Sequence, residues 1–405
     1  MKTGARTILI SGAGIAGPTL AFWLLRRGFR PTVVELAPGP RSGGYVIDFW
    51  GLGYEIAERM GLEAELKERG YRPEEVRFVD DHGRRTGGFG VDAFRALTND
   101  KYVTIARSDL AMMIYRKIAD DCEMIFGDGI VTMTDSGDGI DVTFAHGGER
   151  RFDLVIGADG LHSAVRRLAF GADDRFEKYL GYGVAAFESD GYQPREDNVY
   201  ISHGTPGRQI SRFALRKGRT LFLFVFATDA PAQSWPRGDA ERKQILTDEF
   251  RTTGWEAPRI LAALAAAHDI YFDPVSQIRL DLWARGRTSL VGDAAFCPSL
   301  LAGQGSALAM AASYVLAGEL AATGGQYQEA FARYDHRLRR FILGKQRTAE
   351  KYARAFVPRT EFGLWFRDSV SRLIGVPGLA TLVLGRGLLD RLRLPDYPNA
   401  LDQSS

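Results

Sequence analysis

Thr7-Ile-Leu-Ile-Ser-Gly12-Ala-Gly14-Ile-Ala-Gly17 is the stretch on which the reading of this chain turns. A short β-branched run enters a glycine-rich turn, and an apolar helical pattern follows from Ile15 to Arg27 before Thr32-Val-Val-Glu35 reads as a second strand. This is a βαβ unit whose turn carries G-x-G-x-x-G. The first glycine allows the tight turn, the second lets a pyrophosphate approach the backbone, and the third lets helix and strand pack closely. The N–H groups at the helix start, around Gly14, Ile15, Ala16 and Gly17 after the turn at Gly12, face a diphosphate with the positive end of the helix dipole. Glu35 closes the second strand, where a carboxylate accepts hydrogen bonds from ribose hydroxyls and repels a 2′-phosphate. The expected nucleotide is FAD or NAD rather than NADP, and the motif alone does not separate the two.

Composition narrows the class further. At 405 residues the chain is long enough for two or three domains, and 45% hydrophobic with 25% charged residues is ordinary for a globular protein. Lys and Arg number 52 against 50 Asp and Glu, a formal charge of +2, which argues against a nucleic-acid partner. Two cysteines, Cys122 and Cys297, exclude a disulfide scaffold and fit a reducing, cytoplasmic setting. The N-terminus lacks the apolar run of a signal peptide, no stretch of 18 apolar residues is present, and no integral membrane segment is expected. None of the six histidines has metal-ligand spacing with another, so no catalytic metal is expected.

Outward from the first unit, Gly51 to Gly70 has helical periodicity broken by glycines, and a helix runs from Ser108 or Asp109, either available as N-cap, to Ala119. Short strands fill Glu123 to Leu154, with Leu154-Val-Ile156 of the buried type. From Gly181 to Ala230, alternating aromatic stretches predict an antiparallel sheet in which Phe222, Phe224 and Phe226 share one face. Helices are predicted over Ala240–Thr252, Ala257–His268, Gly305–Ala321 and Gln326–Phe356, with a strand at Ser289-Leu-Val291. Ser369 to Leu394 is apolar with interspersed arginines, and Pro377 and Gly385 favour its packing onto the first domain over lying on a bilayer.

Two later segments carry a resemblance. Asp153-Leu-Val-Ile-Gly-Ala-Asp-Gly-Leu-His-Ser-Ala-Val-Arg166 resembles the D-x-x-x-G-A-D-G-x-x-S-x-V-R stretch of the class A flavoprotein monooxygenases, the para-hydroxybenzoate hydroxylase-like family. Val291-Gly-Asp-Ala-Ala295, continuing to Pro298 and Gly303-Gln-Gly305, resembles that family's G-D-A-A-x-x-x-P-x-x-G-Q-G segment. The first half, with Ser42-Gly-Gly-Tyr-Val-Ile-Asp48, is similar to the tetracycline-inactivating branch.

The resemblance implies an α/β fold: a Rossmann-like FAD domain of the para-hydroxybenzoate hydroxylase type, a β-sheet substrate domain and a C-terminal helical section. The FAD domain is expected from residues 1–75, 100–176 and 280–340, the substrate domain from 76–99 and 177–279, and the helical section from 341–405. It implies non-covalent FAD, NADPH or NADH as reductant, O2, and a flavin hydroperoxide that hydroxylates or epoxidises an aromatic or polyketide-like molecule. FAD contacts carry over to Arg107, Asp159, Gly160, Gly292, Asp293, Pro298, Gly303, Gln304 and Gly305. Arg41 would supply any cation beside the ribose, because Leu36 follows Glu35 where the family often has a basic residue.

The bare residues also admit plainer roles: Asp293 as a helix N-cap, Asp159 as a turn aspartate, Arg107 as a surface charge. His162 reads as a surface or supporting residue rather than a base. Phe296 stands where the family usually has His, and Cys297 reads as a small buried hydrophobe rather than a flavin attachment point. The substrate pocket is expected among Asp48, Phe222, Phe224, Phe296, Leu300 and Leu301, with no residue itself catalytic, because the cofactor carries the chemistry. An FAD-dependent reductase on the same scaffold and a non-catalytic FAD-binding accessory protein are the alternatives.

Overall fold

The computed structural model describes residues 4, 6–40, 45–230, 235–236, 238–374 and 392–398. Its first sheet has six strands in the order Ala284–Arg285, Thr288–Leu290, Leu154–Gly157, Thr7–Ser11, Arg30–Glu35, Glu123–Phe126, all parallel except the edge pair Ala284–Arg285 with Thr288–Leu290. Ile10 pairs with Ile156 on one side and Val33 on the other. Ile8, Leu9 and Ile10 are wholly buried in succession, because a parallel sheet is covered on both faces and needs no polar alternation. The helices Ala16–Arg26 and Gly305–Ala322 pack against one another, joined by the Ser313 hydroxyl donating to the Ala16 carbonyl at 2.9 Å. Among the described residues, Gly305–Ala322 is the one helix long and apolar enough to cross a membrane, and 78% of it is buried inside the protein. A three-stranded antiparallel sheet, Ile130–Asp135, Ile140–Phe144 and Glu149–Phe152, adds Val142, Phe144 and Phe152 to the same core.

The second sheet has seven strands in the order Tyr271–Ile278, Glu177–Asp190, Arg219–Ala227, Arg208–Ala214, Val199–Thr205, Glu75–Val79, Arg85–Gly90. Alternation along Arg219–Ala227 divides its faces. Phe222, Phe224 and Phe226 point outward to Leu246, Phe250, Ile260 and Leu264 of the helices Asp239–Phe250 and Ala257–Ala266. Leu223 and Val225 point inward, toward Leu300, Leu301 and Ala353. The two-stranded antiparallel sheet of Val46–Trp50 and Tyr102–Ala106 stands beside that inner face, Val46 meeting Phe213 and Tyr200 there.

Tyr327–Phe356 spans both sheets: Leu338 and Ile342 belong to the first core, Ala353 to the inner face of the second. Its buried Gln346 donates from Nε2 to the carbonyls of Ile278, Phe296 and Cys297 at 2.7, 3.1 and 3.3 Å. Gln277 Nε2 in turn reaches the carbonyls of Pro298 and Gln346 at 2.9 and 2.8 Å. A loop without regular partners thus has its carbonyls satisfied by two side-chain amides.

Local differences from the sequence reading have physical causes. Gly61, at φ +69°, splits the Gly51–Gly70 run into helices Leu52–Arg59 and Glu63–Arg69. The helix expected from Ser108 begins at Arg107 and ends at Arg116; strand Tyr102–Ala106 runs directly into it, so Ser108 and Asp109 lie in its first turn and cap nothing. Glu361–Ile374 lies along the edge strand Arg85–Gly90, where Ser371 Oγ accepts from Gly88 N at 2.7 Å. Within the Ser369–Leu394 stretch, Ser369–Ile374 therefore sits on the second sheet, Leu394 joins the first core, and residues 375–391 lie outside the described residues.

Gln346→Met keeps the volume but removes the side-chain donor from the Ile278 and Phe296 carbonyls, while the Cys297 carbonyl keeps its bond from Ile278 N. The expected cost is about 1–3 kcal/mol, read as a lower urea midpoint. An unchanged midpoint would mean that packing alone braces this loop.

Candidate active site

Three loops from the first sheet meet at one place. After Ser11 the chain turns at Gly12, φ +105°, where a Cβ would stand 2.5 Å from the Ala158 carbonyl oxygen. At Gly17 a Cβ would stand 1.9 Å from the Gly12 carbonyl oxygen, so these two glycines are demanded by the fold itself. Gly14 differs. A Cβ there meets only Arg107 Nη2 at 3.7 Å, so this glycine faces open space before the helix N-terminus, which no side chain caps. Glu35, 9% exposed, accepts from Ala13 N at 2.8 Å and Ala37 N at 3.0 Å, fixing the turn while standing at its rim.

The second loop follows Leu154–Gly157. Asp159 turns inward, accepting from Ser163 Oγ at 2.5 Å, Val165 N at 3.1 Å and Ser11 Oγ at 3.3 Å, while burial raises its carboxyl pKa against those hydrogen bonds. Ser163 caps the helix Ala164–Phe170 by accepting from Arg166 N at 2.9 Å. Gly160, φ +78°, leaves its Cβ position unobstructed. Arg166, 1% exposed, donates to the carbonyls of Leu161 and Ala294 at 2.6 and 3.0 Å and to Asp173 at 2.6 Å, tying this loop to the third.

At Gly292, φ +65°, a Cβ would stand 3.1 Å from Ala16 Cβ and 3.3 Å from Ala309 Cβ, so the third loop is wedged between the starts of two long helices. Asp293 opens the short helix Asp293–Phe296. Burial raises its pKa, opposed by the charge of Arg107 and by a hydrogen bond with Cys297. The Cys297 thiol is itself pushed well up by burial and stays protonated. A Cβ on Gly305 would lie 3.6 Å from Asp293 Oδ1, and the helix Gly305–Ala322, entered through Gln304, has no side-chain cap. Between Pro298 and Leu300, Ser299 holds φ +105° with its hydroxyl sealed from solvent and unpaired, and Gly303, φ +64°, faces Trp50. Uncapped helix starts, the opening at Gly14 with Arg107 across it, and an unsatisfied Ser299 hydroxyl suit a long ligand with an anionic middle.

Across from these loops lies the inner face of the second sheet. Tyr45 and Tyr271 pack with ring centroids 4.9 Å apart, and Tyr45 adds to the field that raises the Arg107 pKa. Tyr271 donates to Asp273 Oδ2 at 3.2 Å, and His162 Nε2 lies 3.0 Å from Asp273 Oδ1, linking the second loop to the sheet. Leu300 and Leu301 lie against the inner face, and Asp48 accepts hydroxyl hydrogen bonds from Tyr102 and Thr104 of the strand paired with its own.

Phe222, Phe224 and Phe296 do not face this space. Phe222 and Phe224 are wholly buried on the outer side of the sheet, where strand alternation and the covering helices place them. Phe296 packs against Trp283 in the first core, ring centroids 4.8 Å apart and tilted by 52°. Arg41 lies outside the described residues. Sequence reasoning missed Tyr45, Tyr271, Asp273, Gln277 and Gln346, which are scattered through the chain and carry no motif; Gln346, a polar residue on the apolar stripe of a long helix, was the one legible signal.

The FAD binding domain family matches residues 5–343. A flavin-dependent monooxygenase of Legionella longbeachae is 32% identical over 402 residues, covering 97% of this chain and 98% of that protein. The FAD-dependent monooxygenase asL6 of Sarocladium schorii is 29% identical over 427 residues, covering 96% and 98%. The crystal structure of tetracycline destructase Tet(55) superposes with a TM-score of 0.83 at 30% identity, covering 98% of this chain and all of that one, 100%.

The His162–Asp273 pair has a pH signature. Its hydrogen bond to Asp273 raises the His162 pKa above the usual 6.5, so the protonated form favours the folded state. That contribution is complete below about pH 6.5 and is lost as pH rises through the folded value. His162→Gln should therefore lower the melting temperature at pH 5.5 more than at pH 8.5. An equal shift at both would show that the pair's charge is irrelevant.

Proposed function

Because the chain belongs to the FAD-dependent monooxygenases of class A, we propose that it inserts one atom of O2 into an aromatic or polyketide-like small molecule, with NADPH or NADH as reductant. The observation that carries this reading is the convergence of two uncapped long-helix starts, Arg107 and Asp293 on one opening that faces the inner side of a second sheet. FAD bound there would supply the redox chemistry, accepting hydride from a nicotinamide and activating oxygen, while the residues below would hold and orient it.

The protein's own residues then have separate tasks. Backbone N–H groups at Gly14, Ile15 and Ala16, with the Arg107 guanidinium, hold the diphosphate, and Glu35 at the rim of the turn holds the adenosine ribose. Asp293 holds a ribityl hydroxyl, and the start of Gly305–Ala322, reached through Gly303 and Gln304, faces the ring end that gains negative charge on reduction. Asp159 acts indirectly: its carboxylate is committed to Ser11, Ser163 and Val165, so it shapes the second loop. Val46, Leu223, Leu300 and Leu301 exclude water from the reacting region. Residues near 76–99 and 177–279 form the substrate side, and Tyr327–Phe356 braces it against the FAD side.

Two measurements test this. Gly14→Val fills the opening without touching backbone, so the protein should fold and lose its yellow colour; Asp293→Ala should weaken FAD binding more than tenfold, the equivalent of about 1.5–3 kcal/mol for a charged hydrogen bond. Full flavin content in Gly14→Val would refute the placement. The second incubates the holoenzyme with NADH or NADPH, labelled oxygen and a panel of aromatic compounds including tetracycline. One labelled atom should enter the product, and Leu301→Ser should raise hydrogen peroxide as product falls. Equal product yield under argon would make the protein a reductase instead.

A further inference from the structure

Three hydroxyls converge on a single oxygen of Asp48. Tyr102 donates to Oδ1 at 2.8 Å, Thr104 at 2.5 Å and Tyr200, from the second sheet, at 3.3 Å. The other oxygen, Oδ2, takes no hydrogen bond from a described residue, and it is not among the unpaired atoms sealed from solvent. The carboxylate is therefore held rigidly by one oxygen and presents the other.

Strand geometry fixes what it faces. Along Val46–Trp50, Ile47 and Phe49 pack into the first core, so Val46, Asp48 and Trp50 point the other way, toward the inner face of the second sheet. Tyr200, stacked on Phe213 with centroids 4.3 Å apart, forms one wall. Tyr352 of the long helix is 44% exposed, yet protein surrounds its hydroxyl closely enough to raise its pKa, with Asp48 as the neighbouring charge. Tyr352 therefore stands near Asp48 while keeping part of its side chain open to solvent.

Asp48 has no ion pair among the described residues. Burial accordingly pushes its pKa up, and the three hydroxyls only partly offset this. A desolvated carboxylate with no cation among the described residues is costly to maintain and is stabilised most by a ligand that brings a positive charge to it. A neutral hydroxyl would bring only a dipole.

We propose that Asp48 anchors the substrate through Oδ2 and that the substrate presents a protonated amine to it. This deepens the monooxygenase reading by naming the substrate class, and it rests on that reading for where the substrate lies. The test needs no turnover, so the two can fail separately: amine-selective binding without oxygen transfer would sink the reaction and keep the anchor.

Oxidised FAD-loaded protein is titrated with tryptamine and phenethylamine and with their neutral counterparts tryptophol and 2-phenylethanol, following the flavin absorbance. The amines should bind at least tenfold more tightly. Asp48→Asn, which keeps an oxygen for the three hydroxyls, should bring each pair within about twofold while flavin content stays the same. Should that variant lose flavin, the wild-type protein decides: the amine advantage must shrink as pH falls toward the carboxylate's raised pKa, because Tyr102, Tyr200 and Tyr352, the other titratable groups facing it, are kept neutral by burial. Equal binding of amine and alcohol, binding of neither, or a preference that survives in Asp48→Asn would each overturn the proposal.

Discussion

Backbone approaches backbone so closely at the centre of the first sheet that no Cβ fits. Gly17 lies over the Gly12 carbonyl and Gly12 over Ala158; Gly292, between Ala16 and Ala309, is tight rather than closed. The Gly17 contact closes the first turn on its own helix, and the Gly12 contact brings that turn to the loop after Leu154–Gly157. Replacing Gly12 or Gly17 by a residue with a side chain forces the backbone apart, because the atoms in the way are backbone; at Gly292 the neighbouring alanines would have to give by a few tenths of an ångström at a positive φ. The opening at Gly14 exists only because the elements around it are held this close.

Arg166 keeps the loops in that arrangement. Its guanidinium is almost fully buried and spends its donors on two carbonyls from different loops and on Asp173. Removing one partner from such a buried charged arrangement typically costs about 3–5 kcal/mol, so the arginine that ends the second motif acts as a structural tie. Asp159 of the same motif is likewise turned into the protein. Residues that mark a site in sequence can thus serve it from behind, by shaping the loops that a ligand meets.

The opposite wall is built on different physics. The outer face of the second sheet is aromatic and closed by helices, whereas the inner face mixes aliphatic side chains such as Val184, Val225 and Leu301 with Phe213 and Tyr200, and is bordered by hydroxyls and carboxylates such as Tyr271, Asp273 and Asp48. An apolar wall excludes water, and a few oriented polar groups give direction. The long helix Tyr327–Phe356 keeps this wall at a fixed distance from the loops, since Gln346 and Gln277 bind the carbonyls that lead from strand Tyr271–Ile278 to Pro298.

Local sequence was enough for the α/β fold class and for the family. A strand, a glycine turn, a helix and a terminal Glu35 within about thirty residues can be read from periodicity and from the few conformations glycine permits, and the two later motifs are equally local. Strand alternation likewise put Phe222, Phe224 and Phe226 on one face. Which face looked at the site depended on where the helices Asp239–Phe250 and Ala257–Ala266 would pack, and that is a question of tertiary structure. The same holds for Phe296, which occupies a motif position but finds Trp283 in the core. Tyr271 and Asp273 share one strand, but Tyr45, Tyr102 and Tyr200 come from other parts of the chain with no spacing to connect them; only tertiary packing set Tyr45 against Tyr271 and Tyr102 and Tyr200 on Asp48. Sequence determines periodicity and backbone permission residue by residue, including the i, i+2 placing of Tyr102 and Thr104 on one strand, while bringing Asp48 and the Tyr200 hydroxyl to that pair is decided by long-range packing.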